Sequence, residues 1–83
     1  MTDTQTIARF LESDEWTYAE KFIIKWQFDL LGDFYKALTE AIKCADDDNL
    51  TRLGVGFPQE VDGFLAWNRG DLGTRLRNAG LEI

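Results

Sequence analysis

The 83-residue sequence contains no histidine. That absence removes Ser-His and Cys-His catalytic pairs together with every imidazole metal ligand. The single cysteine, Cys44, cannot close an internal disulfide, so nothing argues for an oxidising compartment. Its place beside an apolar helix face predicts a small hydrophobe rather than a reactive thiol. No apolar run approaches the ~18 residues needed to span a bilayer. Neither a leader peptide nor a lipidation motif is recognisable, and the expected location is the cytoplasm. Repeats, linkers and low-complexity stretches are also missing. The phosphate-cradling loop is absent too, because Gly54-x-Gly56 is too short and no Lys-Ser/Thr follows it.

Acid and aromatic residues are what the chain has in quantity. Fifteen Asp and Glu stand against nine Lys and Arg, a net charge of −6. All of the excess lies in residues 1–48, with eleven acids and five bases, while residues 49–83 carry four of each. An acidic half repels phosphate backbones, so direct nucleic-acid binding is not expected. It suits a protein partner with a basic surface, or it only keeps a small domain soluble. Eleven aromatic residues exclude a disordered chain. Each aromatic removes roughly 150–250 Å² from water when buried, enough to build one core but not two at this length.

The patterning predicts an all-α fold, one compact domain over residues 1–83 with four to five short helices. Gly32–Asp48 is the expected organising stretch. Phe34, Ala37, Leu38, Ala41, Ile42 and Ala45 recur on one helix face, and Asp33, Lys36, Thr39, Glu40 and Lys43 fill the other. Residues 2–13 predict a short helix opened by Thr2 and Gln5 at capping-box spacing. Thr17-Tyr18-Ala19-Glu20 is a second capping box, before a stripe of Ala19, Ile23, Trp26 and Leu30. The β-branched and aromatic content of residues 22–28 leaves a strand open as the alternative. Gly32 is expected as a left-handed cap, with Asp33 capping the next helix. Leu50–Leu53 forms a turn and Gly54–Pro58 the main loop. Pro58 then starts a helix whose Val61, Phe64, Leu65 and Trp67 face inward. A last helix runs from Asp71 to a stop at Gly80, with Leu72, Leu76 and Ala79 as its stripe.

Carboxylates cluster without an interleaved base in two places: Glu12, Asp14 and Glu15, and Asp46, Asp47 and Asp48. These six are the candidate partner-binding residues. The second cluster is not a calcium loop, because Leu50 and Phe57 fall where the fifth and twelfth ligands are required. No metal site, cofactor or catalytic group is nominated, and a non-enzymatic role is expected. Arg69, Arg75 and Arg77 are expected to complement the protein's own acidic half. Trp16, Trp26 and Trp67 are expected in the core, with Trp16 as a partly exposed anchor. The wide apolar arc of Ala19–Leu31 predicts a monomer–dimer equilibrium.

The pattern Asn49-Leu50-x-Arg52-Leu53-x-x-Gly56-Phe57-Pro58-x-Glu60-Val61, after the Gly32–Asp46 helix, resembles short acidic proteins encoded in phages and prophages. The resemblance covers about residues 30–83 and rests on a turn, a Pro-started helix and apolar spacing. Proteins of this kind include inhibitors of host defence, among them anti-CRISPR proteins that place carboxylates in nucleic-acid-binding grooves. It implies a non-enzymatic inhibitor or adaptor in the host cytoplasm that acts by protein–protein contact. A homo-oligomeric structural or accessory phage protein is the alternative.

Overall fold

A computed structural model of the chain describes residues 3–83. Six helices follow one another: α1 (Thr4–Glu12), α2 (Tyr18–Gln27), α3 (Asp33–Cys44), α4 (Asp47–Gly56), α5 (Pro58–Arg69) and α6 (Asp71–Asn78). The architecture is all-α, with more helices than the four to five expected. There is no strand among the described residues, and the run at 22–28 is helical up to its C-cap, Phe28.

Local chemistry accounts for most helix ends. Asp3 caps α1 by accepting from the Thr6 N–H at 2.8 Å, which holds its carboxyl below the usual range. The expected box from Thr2 lies outside the described residues. Thr17 and Glu20 form the full reciprocal box at the start of α2. Pro58 opens α5, and Gly70 at φ 93° both ends α5 and starts α6.

Two helices end in the same six-to-one and five-to-two hydrogen-bonded turn. At α6, Leu81 N–H bonds Leu76 O and Gly80 N–H bonds Arg77 O, with Gly80 at φ 115°. At α2, Leu30 N–H bonds Lys25 O and Asp29 N–H bonds Trp26 O. The left-handed position there is Asp29, at φ 57°, and not Gly32, which sits at φ −72° as the N-cap of α3. An Asp is tolerated because its short side chain adapts to this region. Here it also reaches Lys36 Nζ at 3.0 Å.

The fourth helix is the added element. Glycine costs a helix about 1 kcal/mol relative to alanine, so Gly-x-Gly before a proline reads as a break. Packing overrides that cost, because the half-buried Leu50, Leu53 and Phe57 lie against Leu38, Ile42 and Val61. The Asp46 side chain caps the helix through Asn49 N–H at 2.8 Å, and Phe57 N–H closes it on Leu53 O. The expected Gly54–Pro58 loop is therefore the last turn of α4 and its junction with α5.

The organising pair is α2 and α5, rather than α3. One core gathers Phe22, Ile23, Ile24, Leu31, Leu72, Leu76 and Leu81; the second holds Leu38, Ile42 and Val61. Phe64 of α5 packs against both. On α3 only part of the expected stripe is inside: Leu38 and Ile42 are buried and Ala45 half-buried, while Phe34, Ala37 and Ala41 are exposed, as is Cys44, which was expected beside the apolar face. Thr39, expected on the polar face, is buried, and its hydroxyl donates to Tyr35 O at 2.8 Å. Val61 is buried and Phe64, Leu65 and Trp67 are half-buried, as their spacing implies, whereas Ala79 is exposed.

α2 and α5 approach closely at Gly63. A Cβ added there would stand 2.6 Å from the Ala19 carbonyl oxygen, a backbone atom that cannot rotate away. Gly63→Ala should therefore destabilise the fold by ~1–3 kcal/mol, the usual cost of overpacking. Gly54 meets nothing within 4 Å. Gly54→Ala should stabilise by about 0.5–1 kcal/mol through helix propensity. Urea unfolding of both variants checks the opposite signs; equal effects would contradict the crossing geometry.

Candidate functional site

The two acidic clusters occupy different elements and serve different structural ends. Glu12 closes α1, and Asp14 and Glu15 lie in the turn to α2; all three are exposed. Within this turn Ser13 Oγ accepts from the Glu15 N–H at 3.1 Å. None of the three carboxylates is ion-paired among the described residues. Asp46, Asp47 and Asp48 are exposed too, but they belong to the start of α4. Asp46 is the N-cap, Asp48 pairs with Arg52 at 3.2 Å, and all three face the positive end of the helix dipole. Of the six candidates, the three in the α1–α2 turn are thus the ones without structural employment.

That turn is held from below. Trp16, next to Glu15, stacks on Phe10 with ring centroids 5.5 Å apart, and the Arg75 guanidinium lies 5.4 Å from the Trp16 centroid. Arg75 also binds Glu20 Oε2 at 2.6 Å, while the other Glu20 oxygen accepts from the Thr17 N–H at 2.8 Å. Capping box, cation–π contact and ion pair therefore converge on one corner. Trp16 is half-buried and packed, so it is part of the support rather than a free anchor. Arg75 complements the acidic half, as expected. Arg69 pairs with its neighbour Asp71, and Arg77 donates to Ile83 O.

Sequence reasoning missed Glu60 and Tyr18. Glu60 is only 7% exposed, and the Tyr18 hydroxyl donates to its Oε2 at 2.7 Å across 42 residues of chain. That hydrogen bond, with burial added, pushes the Tyr18 phenol well above its ordinary value. The pair spans α2 and α5 one turn from Gly63, so it braces the crossing. A Glu at the third position of a Pro-started helix was the only visible signal, and it names no partner.

One surface depression of the described residues, ≈ 440 Å³, lies between α3 and α4 along Ala41, Cys44, Ala45, Asn49, Arg52 and Leu53. A second, ≈ 270 Å³, borders the acidic turn at Arg9, Phe10, Ser13, Glu15 and Trp16. A third, ≈ 170 Å³, opens between α1, α2 and the start of α3. Among the described residues no group of three or more His, Cys, Asp or Glu is placed to hold a metal ion. No described helix is long and apolar enough to cross a membrane. No protein-family model, no curated protein and no solved structure matches this chain.

The corner has a pH signature. Desolvation raises the Glu20 carboxyl, but the Thr17 N–H and the Arg75 guanidinium outweigh it and hold the group below its ordinary value near 4.5. A carboxyl depressed in the folded state contributes stability above its unfolded value and loses it as pH falls through the folded one. Glu20→Gln should accordingly cost ~1 kcal/mol at neutral pH, a cap-sized loss. The gap to wild type should close as the pH drops below about 4.5. Melting curves at neutral and acid pH test this, and a gap that widens on acidification would contradict it.

Proposed function

We propose that this protein is a non-enzymatic inhibitor or adaptor of phage type that acts by protein–protein contact. Its acidic α1–α2 turn meets a basic groove on its partner. The observation that carries the reading is the carboxylate set Glu12, Asp14 and Glu15, exposed and with no ion pair among the described residues, beside a packed tryptophan corner. Carboxylates that only solubilise need no rigid platform. Here the platform is built from Trp16, Arg75 and the Thr17–Glu20 box, which fixes the spacing of the charges in advance and lowers the ordering cost of binding. Asp46–Asp48 add to the acidic field but are tied to the α4 terminus.

The partner class follows from charge. A groove that normally holds DNA or RNA is lined with Lys and Arg, and fixed carboxylates compete with phosphates for them. Inhibition of an RNA-guided nuclease, the anti-CRISPR role, is the most concrete form. It rests on the resemblance of residues 30–83 to phage proteins together with this surface. The alternative is a homo-oligomeric accessory protein of a phage, favoured by exposed Leu30 and Phe34, which are 52% and 61% accessible.

Neutralising the turn separates function from folding. The triple change Glu12→Gln, Asp14→Asn, Glu15→Gln should leave the melting temperature nearly unchanged, as for surface sites generally, within about 0.5 kcal/mol. It should weaken capture of a basic, nucleic-acid-binding host protein, and that capture should be displaced by the host protein's own nucleic acid and by salt. Capture indifferent to the triple change would remove the turn from the functional account.

A further inference from the structure

We propose that the protein self-associates as a two-fold dimer in which Leu30 of each copy enters the ≈ 170 Å³ cavity of the other. The proposal uses none of the six acidic candidates, so it stands or falls apart from the function above.

The knob is identified by a comparison within the chain. The hydrogen-bonded turn that ends α6 places Leu81 against Leu76, and both are buried. Such turns usually carry this apolar contact. The same turn at the end of α2 places Leu30 opposite Lys25, and Leu30 is left 52% exposed. The backbone there adopts a left-handed conformation at Asp29, φ 57°, without a glycine. A large apolar residue left half-exposed at such a turn, opposite a lysine rather than an apolar side chain, suits a contact completed from outside.

The hole lies beside the knob. Its apolar walls are Leu11, Tyr18, Phe22, Leu31 and Tyr35, and Lys21 and Lys25 also line it. An apolar cavity of about 150 Å³ takes a benzene-sized group, whereas drug-sized ligands need roughly 300–1,000 Å³. This cavity therefore fits one side chain. Lys21 and Lys25 have no ion-pair partner among the described residues, although acids outnumber bases fifteen to nine in this chain.

Charge selects the occupant. Leu30 is bracketed by two exposed acids, Asp29, which pairs with Lys36 of its own chain, and Asp33, which has no ion-pair partner among the described residues. One patch thus holds an apolar knob beside the acid Asp33 and an apolar hole beside two bases. That combination is what a two-fold interface requires, because the same surface must complement itself. A second copy satisfies both halves at once, with Asp33 of one copy meeting Lys21 and Lys25 of the other. Exposed Phe34 and Tyr35, whose rings are 5.1 Å apart, extend the apolar contact around the knob.

Sedimentation velocity across a concentration series tests the proposal. Wild type should show a monomer–dimer equilibrium, and Leu30→Ser should weaken it at least ~tenfold, as loss of a central anchor does. Lys21→Glu/Lys25→Glu places acid against acid, and Asp33→Lys places base against base; each variant alone should be monomeric. Mixed together they should form a heterodimer, since each altered patch then meets its opposite. Melting curves confirm that the variants fold, and Leu30→Ser decides alone if a charge variant does not. A strict monomer at millimolar wild-type concentration, a dimer indifferent to Leu30→Ser, or mixed charge variants that stay monomeric would each overturn the proposal.

Discussion

The close approach of α2 to α5 at Ala19 and Gly63 is the constraint on which the rest of the structure depends. Without a side chain at position 63, the two backbones come near enough for Ile23 to lie against α5. One turn away the Tyr18 hydroxyl closes over the buried Glu60 carboxylate. On the next turn of α5, Phe64 enters both cores. Widening the crossing would strand Glu60 without its donor and open the seam at Phe64. The burial of a charged group is tolerated because it is hydrogen-bonded and sits in the first turn of α5, where the dipole favours it.

Signals confined to a few residues were legible in the sequence. The Thr17–Glu20 box, Pro58 at a helix start and the Gly80 stop each depend on neighbours along the chain, and each formed as its spacing implied. Signals that depend on who packs against whom were not. The 33–44 helix has a regular stripe, but periodicity cannot tell a stripe covered by the fold from one left at the surface. Phe34, Ala37 and Ala41 went outside while Thr39 went in. Gly54 and Gly56 are local breakers overruled by the packing of half-buried Leu50 and Leu53 on the second core. Leu30 fits the α2 stripe by spacing, but the helix ends at Gln27.

The candidate site shows the same division. All six clustered carboxylates were visible as a charge pattern, and all are exposed. What the sequence did not separate was employment: Asp46 and Asp48 cap and pair within α4, whereas Glu12, Asp14 and Glu15 do neither among the described residues. The corner beneath the turn was partly invisible for a physical reason, since Arg75 is 55 residues from Glu20. Such a contact exists only once α6 has docked on α2. The surface that results carries exposed acid at one corner and an apolar, lysine-lined patch beside α2.

Native-state hydrogen exchange tests the central claim, that the α2–α5 crossing is the frame and α3 an outlying element. The account predicts that amides of residues 22–26 and 64–67 open only with global unfolding, while those of α3 exchange through a smaller opening of lower free energy. Protection of α3 equal to or above that of α2 and α5 would contradict it and return the 33–44 helix to the centre of the fold.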